Sequence, residues 1–316
     1  NLACSGLSIN IKKEDWLKLA GKNANLKIAL GQLFNQFTNA HILGSLIELD
    51  RKIGEKTLID FDWATVHTLI KTKISEEKEY EMKINSIAAH GLLKAAQILA
   101  ERYHLVSTNV PYLGRKKQNE FLQRYSEDNY PDSKQDLATV FMERCLRFTT
   151  KSGLCCLVLP QNWTFLNSYS NFRYKMLKKY KWNVLAKLGP GAFNQITGEV
   201  VQAILLIIEG PTHILGEHHI KGIDVSEYPS VLKKKTHLIK KDIIQLSQIN
   251  QITNPDSIII VDENDYKHQL LEIYAKPVEG AKTIDINRFR HYFWELKNVD
   301  QNWNLHNSSP KGEMDF

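Results

Sequence analysis

One apolar run limits what this chain can fold into more than any other feature. Residues 154–159 read Leu-Cys-Cys-Leu-Val-Leu, and Pro160 follows directly. A strand with one face in water alternates apolar and polar residues, whereas a strand covered on both faces of a parallel sheet is continuously apolar. The run therefore predicts a buried strand in a parallel sheet that carries helices on its faces.

Helix and strand patterns alternate around this run. A short strand is predicted at 104–107. A helix follows and is expected to end at Ser152-Gly153; its single face carries Leu137, Val140, Phe141, Cys145 and Phe148. A second helix carries Tyr169, Phe172, Met176, Leu177 and Tyr180, and two strands are predicted at 184–188 and 200–208. Because no helix separates those two strands, we expect an antiparallel hairpin at the sheet edge. The order indicates an α/β fold.

The flanking segments give weaker patterns. Helices are predicted over 13–48, with interruptions near Gly21 and Gly44, and over the segment that carries Ile87, Leu92, Ala95, Ala96 and Leu99. The charge-rich stretch 75–83 is interpreted as a solvated helix face. Pro131 with Asp132-Ser133 favours a turn and a helix cap. Beyond residue 211 we expect a basic stretch at 233–241, a short strand at 257–261, a helix near 266–275 and an aromatic-rich tail.

Composition excludes several classes of protein. Of 316 residues 43% are hydrophobic, and no apolar run approaches the roughly 20 residues that cross a bilayer. The four cysteines form no Cys-x-x-Cys pair and no signal segment is visible, which favours a reducing cytoplasm. The net charge is +6, while residues 171–241 alone hold 12 basic and 5 acidic side chains, an excess of +7. The basicity is therefore regional. The chain starts at Asn1 rather than Met and is expected to be a fragment.

A tetrapeptide after the first predicted strand carries the chemistry. Asn109-Val110-Pro111-Tyr112 resembles the Asn-Pro-Pro-Tyr motif of amino-group N-methyltransferases. An exocyclic amine conjugated to a purine is a poor nucleophile, so a site must orient it and stabilise the positive charge that develops. With the runs 112–119, 129–146 and 158–166, residues 85–210 resemble the DNA adenine-N6 methyltransferases of BREX phage-exclusion systems and of type IIG restriction-modification enzymes. The resemblance extends weakly through 288–295.

This resemblance implies a partial Rossmann-like class I methyltransferase sheet, formed by its later strands with a terminal antiparallel hairpin, plus a helical insertion. It gives the Asn109 side chain and the Val110 carbonyl the contacts to the target amino group, with Pro111 between them and Tyr112 stacking on the base. A base inside a duplex must be flipped out to reach such a pocket. Phe193 matches the aromatic residue on the other face of the base; the alternative is a hairpin residue that packs on the sheet edge.

The methyl donor implied by the resemblance is S-adenosylmethionine. Asn109, Leu137 and Phe141 match positions near the donor, although the spacing of Leu137 and Phe141 alone indicates core residues. The family's glycine-rich donor loop is not found in this chain and is expected upstream of it, so the chain alone is expected to be inactive. No metal site is indicated, because His218 and His219 are adjacent and the other histidines are scattered.

Double-stranded DNA is the expected partner. Five basic residues are the candidates for phosphate contacts, with residues 233–235 as a further cluster: Arg115, Lys116, Lys117, Lys178 and Lys179. The alternative for each is an ordinary solvated surface. Other subunits of a phage-defence complex are a further expected class of partner, and a membrane is not.

The departures from the family leave alternatives open. Val110 replaces proline, which keeps the carbonyl but leaves the loop less preorganised, so we expect impaired rather than impossible catalysis. Expected domains are 1–84, a helical insertion or connector; 85–210, the catalytic half; and 211–316, a linker and the start of a target-recognition domain. The alternatives are a truncated, non-catalytic DNA-binding or defence-complex module and, less favoured, a protein-glutamine methyltransferase.

Overall fold

Six strands in the described part of the chain form a mixed sheet with helices packed against it. The computed structural model describes residues 3, 12–48, 68, 72, 80–193, 202–211, 217–261, 274–275 and 293–298. The chain divides into two compact units, Asn1–Glu263 and Asn264–Phe316. Every element discussed below belongs to the first unit; in the second, a 3-10 turn covers Phe293–Glu295.

The described elements alternate as an α/β fold requires, and this fold class is confirmed. The helices are α1 Lys13–Lys18, α2 Ala24–Phe37, α3 Ala40–Leu43, α4 Tyr80–Ala100, α5 Glu120–Asn129, α6 Leu137–Phe148, α7 Ser170–Lys179, α8 Val231–Lys240 and α9 Gln248–Thr253. The strands are β1 Tyr103–Asn109, β2 Thr149–Pro160, β3 Tyr180–Gly189, β4 Ala203–Pro211, β5 His219–Asp224 and β6 Ile244–Ser247. Gly21 and Gly44 have φ of 53° and 52°, which ends the helices before them as expected.

The strand order is β1-β2-β4-β3-β5-β6. Strands β1, β2, β3 and β5 run in one direction, while β4 and β6 run against their neighbours. The antiparallel pairing of β3 with β4 is confirmed, but its expected position at the sheet edge is wrong. Strand β4 inserts between β2 and β3, and β3 pairs with β5 on its other side. The last residues of β1, β2, β3 and β5 thus lie along one edge of the sheet, here named the carboxyl edge.

The apolar run 154–159 lies in β2, between β1 and β4. Cys155, Leu157 and Leu159 are buried, whereas Cys156 and Val158 are half-buried. The expected helix end at Ser152-Gly153 is wrong, because α6 ends at Phe148 and β2 begins at Thr149. Gly153 serves close strand packing instead, since a Cβ there would lie 2.8 Å from the carbonyl oxygen of Tyr103.

Two apolar cores meet at α6. The first joins α1, α2 and α4 to the outward face of α6 and includes Trp16, Leu30, Leu33, Phe37, Leu92, Leu93 and Leu137. The second lies against the sheet and includes Met142, Leu157, Trp163, Phe172, Trp182 and Leu206. Because α6 contributes to both cores, its start is fixed relative to β1 and β2 from two sides.

Residues 217–253 hold more regular structure than the sequence indicated, because β5, α8, β6 and α9 continue the fold past residue 210. The predicted strand at 257–261 is wrong. Ser257 ends a 3-10 turn. The backbone after it forms separate hydrogen bonds with different partners rather than a strand ladder: Ile259 N donates to the Thr164 carbonyl (3.0 Å) and Ile260 N to Gln251 Oε1 (2.8 Å). The domain boundaries stay predictions.

Two predicted segments are not covered by the structure. Most of the stretch 266–275 lies outside the described residues, and so do 75–79 and the side chains of 80–86. Among the helices that are described, none is long and apolar enough to cross a membrane.

Candidate functional site

Strand β1 delivers the Asn109–Tyr112 segment to the carboxyl edge of the sheet. Asn109 is the last residue of β1, pairs with Val158 of β2 and is exposed. The Val110 side chain is only 4% exposed and packs in the second core, so it anchors the segment. Pro111 is exposed and Tyr112 is half-buried. The segment therefore presents an amide and an aromatic ring on either side of a buried anchor.

The start of α6 holds the chain that follows the motif. Leu137 N donates to the Leu113 carbonyl (3.0 Å), and Arg115 N donates to the Gln135 carbonyl (2.9 Å). Asp136 is the N-cap of α6, where its Oδ1 accepts hydrogen bonds from Ala138 N (2.8 Å) and Leu113 N (3.4 Å). The expected cap at Asp132-Ser133 is thus wrong, since that segment is a turn and the capping carboxylate comes at Asp136.

An open cleft of about 790 Å³ lies beside Tyr112. This volume is within the range of small-ligand sites. Its walls come from the segment after β1, the start of α6, the segment after β2 and the residue before β4: Tyr112, Gly114, Arg115, Lys116, Lys117, Gln135, Asp136, Pro160, Gln161, Asn162, Phe165, Leu166, Ser168, Tyr169 and Gln202. The cleft is therefore at the carboxyl edge, where open α/β sheets bind ligands.

The walls of the cleft offer neutral hydrogen-bonding groups. The Tyr112 hydroxyl, Gln161 Oε1 and Asn162 Oδ1 are buried without a hydrogen-bond partner among the described residues. Burial, with a smaller contribution from Asp136, raises the pKa of Tyr112 to about 12. The same causes raise the pKa of Tyr169 to about 12, so both phenols are protonated at neutral pH. The residues that carry these atoms line the cleft, and their neutral amide and phenol side chains suit a planar ligand that stacks on an aromatic face.

Basic residues form one rim of the cleft. Arg115, Lys116 and Lys117 make a 3-10 turn directly after the motif, and the two lysines are exposed. Arg115 is partly used within the fold, because its Nη2 lies 2.6 Å from Glu127 Oε1. The structure thus brings this predicted cluster to the site.

Lys178 and Lys179 lie elsewhere. They are the last two residues of α7, and β3 begins directly after them, at the end of the sheet opposite to the carboxyl edge where the motif lies. Ala186 of β3 is level with Asn109 across the sheet, and Tyr180 precedes it by six residues, about 20 Å of strand. The structure does not bring these two lysines to the cleft, and their contact with DNA stays a prediction.

Much of the positive excess in residues 171–241 is used inside the fold. Arg173 is fully buried and Lys234 is 3% exposed, and both donate to backbone carbonyls. The predicted phosphate contact of the 233–235 cluster is therefore wrong at Lys234. Four further lysines pair with carboxylates: Lys175 with Asp132 (2.5 Å), Lys181 with Glu209 (3.6 Å), Lys187 with Asp224 (2.9 Å) and Lys241 with Glu227 (3.0 Å).

The sequence matches the Eco57I restriction-modification methylase family model over residues 9–193. That match covers the β1 end, α6 and every residue of the cleft except Gln202. The chain belongs to the Eco57I restriction-modification methylase family.

The curated relatives that this Eco57I-family chain matches are much longer than the chain, and the matched part is only about one seventh of each. The adenine-specific methyltransferase BrxX of Escherichia coli O9:H4 (strain HS) is 33% identical over 175 residues, 55% of this chain and 14% of BrxX. The adenine-specific methyltransferase PglX of Lacticaseibacillus casei (strain Zhang) is 29% identical over 185 residues, 57% of this chain and 15% of PglX. Among solved structures, a DrdV–DNA complex is 15% identical, with a TM-score of 0.43, and covers 58% of this chain and 21% of that chain.

The other predicted positions of this Eco57I-family chain have packing roles. Leu137 is buried in the first core, and Phe141 is half-buried against both cores. Phe193 lies four residues after β3 ends at the carboxyl edge, where it packs against Leu188, Ala203 and Val225. It does not line the cleft. The functions predicted for these three side chains are not tested by their packing.

Two parts of the site of this Eco57I-family chain were not among the predicted residues: Asp136, and the pair Gln161 and Asn162. Asp136 has a visible signal, because an aspartate directly before an apolar helix pattern is a typical N-cap. Gln161 and Asn162 have none beyond their place after a buried strand. Their place in the wall of the cleft depends on the hydrogen bond that Gln161 N donates to the Gln202 carbonyl (2.7 Å), a contact between distant parts of the chain.

Proposed function

We propose that this chain is the base-binding and catalytic part of a DNA adenine-N6 methyltransferase that uses S-adenosylmethionine. The observation that carries the proposal is the end of β1, where an exposed Asn109 is followed by a half-buried Tyr112 that lines an open cleft. The other residues that line this cleft include Gln161, Asn162 and Tyr169, whose neutral polar and aromatic side chains suit a neutral, planar base. Membership of the Eco57I family and the names of the two relatives support the same activity.

The proposed chemistry needs orientation more than acid–base strength. Asn109 Oδ1 and the Val110 carbonyl accept the two N–H bonds of the target amino group, which turns the nitrogen lone pair away from the ring. The same two oxygens stabilise the positive charge that develops on nitrogen during transfer. In this proposal Tyr112 stacks on one face of the flipped base and Phe193 on the other, which offsets part of the lost base stacking. S-adenosylmethionine, when bound, would supply the electrophilic methyl group and leave as S-adenosylhomocysteine, and the methylated nitrogen would release one proton to solvent.

The described residues fit only part of a donor site. Asn109 is exposed, and we propose that it borders the donor, whereas the side chains of Leu137 and Phe141 pack in the cores. In the described part of the chain no strand pairs with the outer edge of β1, and Leu105 on that strand is 62% exposed. We propose that a donor-binding half with the glycine-rich loop, encoded upstream, pairs along β1.

The proposed partner is double-stranded DNA, bound with the Arg115–Lys117 rim on its phosphates. Other subunits of a phage-defence or restriction-modification complex are proposed as further partners, with a cytoplasmic location.

Product identity tests the function. The complete natural protein that contains this chain is incubated with labelled S-adenosylmethionine, unmethylated duplex DNA and a glutamine-containing peptide, and the products are separated by mass spectrometry. We expect label in N6-methyladenine. Label in glutamine would support a protein methyltransferase, and DNA binding without label would support the non-catalytic module; either result overturns the proposal.

Donor binding is tested separately by calorimetric titration of this chain with S-adenosylmethionine. We expect no measurable binding, because the glycine-rich loop is proposed to lie upstream. Tight binding would contradict that part of the proposal and leave the adenine chemistry untouched.

A further inference from the structure

The turn that leads to Phe193 begins at the end of β3. Gly189 and Gly191 have φ of 64° and 70°, conformations that residues with a Cβ rarely adopt. Gly189 is level with Ala203 and, through it, with Pro160 at the end of β2. The turn therefore leaves the carboxyl edge three strands away from Asn109, about 14 Å across the sheet.

Lys234 of α8 closes this end of β3. Its Nζ donates to the carbonyls of Leu188 (2.5 Å), Val225 (3.1 Å) and Ser226 (3.3 Å). A lysine ammonium has three N–H bonds, so three carbonyls satisfy it fully. The pairing of β3 with β5 ends at Lys187 and Asp224. The carbonyls of the next residues, Leu188 and Val225, lie beyond this pairing and accept hydrogen bonds from Lys234 instead.

The same segment after β5 carries the turn. A Cβ at Gly189 would lie 2.6 Å from Ser226 Cβ, and a Cβ at Gly191 would lie 3.1 Å from the Pro229 carbonyl oxygen. The turn thus rests directly on residues 226–229. Asp224 braces that segment, because its Oδ1 accepts hydrogen bonds from Ser226 N (2.9 Å) and Ser226 Oγ (2.6 Å).

Phe193 belongs to the small core that this arrangement encloses. Leu188, Ala203 and Val225 are buried there, with Phe193 and Tyr228 half-buried around them. Two of the residues whose carbonyls Lys234 binds, Leu188 and Val225, are members of that core. Movement of Lys234 would therefore shift the surface on which the Phe193 ring packs.

We infer that Lys234 is a positioning residue, which sets the 189–193 turn so that Phe193 meets the flipped adenine. The inference rests on the proposed function, in which Phe193 stacks on the base. It also separates Lys234 from Lys233 and Lys235, which are exposed on the same helix and hold no strand end.

The test uses the complete protein. Base flipping is followed on duplex DNA that carries 2-aminopurine at the adenine that methylation mapping identifies as the target, and kcat is measured on the same duplex with adenine there, because 2-aminopurine has no 6-amino group to methylate. Lys234→Met keeps the apolar stem and removes the ammonium, and Lys240→Met is the matched control at an exposed lysine of the same helix. We expect Lys234→Met to reduce the fluorescence rise on base flipping and to lower kcat between about 10-fold and 100-fold, as small misplacements of a site do, with KM for DNA changed much less. Lys240→Met should behave as wild type. A folded Lys234→Met protein with wild-type fluorescence and kcat overturns the inference.

Two further variants keep the outcome decisive. Phe193→Ala tests the proposed function itself: if base flipping is unchanged by Phe193→Ala, the stacking role is wrong whatever Lys234 does. Gly191→Ala pushes the turn off Pro229 while leaving the Lys234 hydrogen bonds in place, so it serves if Lys234→Met does not fold. We expect it to reduce flipping as well, and normal flipping by folded Gly191→Ala would contradict the inference.

Discussion

Arg173 on α7 ties the segment after β2, which lines the cleft, to the segment after α9. It is fully buried, and its Nη1 donates to the carbonyls of Trp163 (2.8 Å) and Leu166 (2.6 Å). Its Nε (3.2 Å) and Nη2 (2.8 Å) both donate to the backbone carbonyl of Asp256, and Nε also donates to the carbonyl of Ser257 (3.2 Å). Asp256 and Ser257 have φ of 52° and 53°, a left-handed backbone that costs of order 1 kcal/mol or more per non-glycine residue.

The substitution Arg173→Met removes the donor from the carbonyls of Trp163, Asp256 and Ser257, whereas the Leu166 carbonyl still accepts a hydrogen bond from Tyr169 N (3.1 Å). Each unpaired buried acceptor costs about 1–3 kcal/mol. If the strained turn at 256–257 relaxes in the variant, the strain energy of about 1–3 kcal/mol at each of its two residues is recovered and reduces the loss of stability. With about 2 kcal/mol for each of the three carbonyls and about 1 kcal/mol returned by each of the two strained residues, the net loss is about 4 kcal/mol, similar to breaking other buried charge networks.

Urea unfolding of this chain, followed by circular dichroism, measures that loss. Lys175→Met is the matched control on the same helix, since the Lys175 side chain is 55% exposed and its ion pair with Asp132 lies at the surface. We expect the control to change the free energy of unfolding by less than about 1 kcal/mol. A loss below about 1 kcal/mol for Arg173→Met would refute the role given to Arg173.

Three other changes test the site. Asp136→Ala should lose about 1 kcal/mol of unfolding free energy with the N-cap of α6, whereas Asp136→Asn keeps an accepting oxygen and should lose less in the same urea titration. Burial raises the pKa of Asp136, so the folded state favours its neutral form and its contribution to stability falls as the pH rises through that raised pKa. The stability of Asp136→Asn relative to wild type should therefore increase from acid to neutral pH, and a flat difference would contradict this. Val110→Pro in the complete protein should raise the methyl-transfer rate about two- to fivefold by stiffening the loop, and an unchanged rate would show that the loop is already preorganised. DNA binding by the complete protein should weaken as salt increases, with a smaller slope for Lys116→Met than for wild type; identical slopes would remove Lys116 from the phosphate contacts.

Local patterns predicted the part of the fold that local interactions decide. The apolar run in β2 and the single face of α6 are visible in the sequence because burial repeats with the period of a strand or helix. The sequence places the Asn109–Tyr112 motif directly after a predicted strand. In the structure the motif does lie at the end of β1, and its Tyr112 lines the cleft. The predicted end of α6 is later than the observed one, because a glycine after an apolar helix pattern predicts a helix stop. Gly153 instead permits the close approach of β1.

Contacts between distant segments decided the rest. Nothing in the sequence distinguishes Lys234 from Lys233 and Lys235, since its burial depends on carbonyls of β3 and of the segment after β5. The insertion of β4 between β2 and β3 is likewise a long-range pairing that a neighbouring pair of strands does not specify. The segment 257–261 has strand-like residues, yet its backbone groups pair with side chains such as Gln251.

Asn109 carries the central claim, and its replacement tests that claim most directly. The complete protein with Asn109→Ala is compared with wild type and with Asn25→Ala, a change at an exposed asparagine in the first turn of α2. N6-methyladenine formed per unit time in duplex DNA is measured by mass spectrometry. We predict a loss of at least about 100-fold for Asn109→Ala, as for removal of other groups that stabilise transition-state charge, and no change for Asn25→Ala. Methylation by folded Asn109→Ala at the wild-type rate would contradict the account.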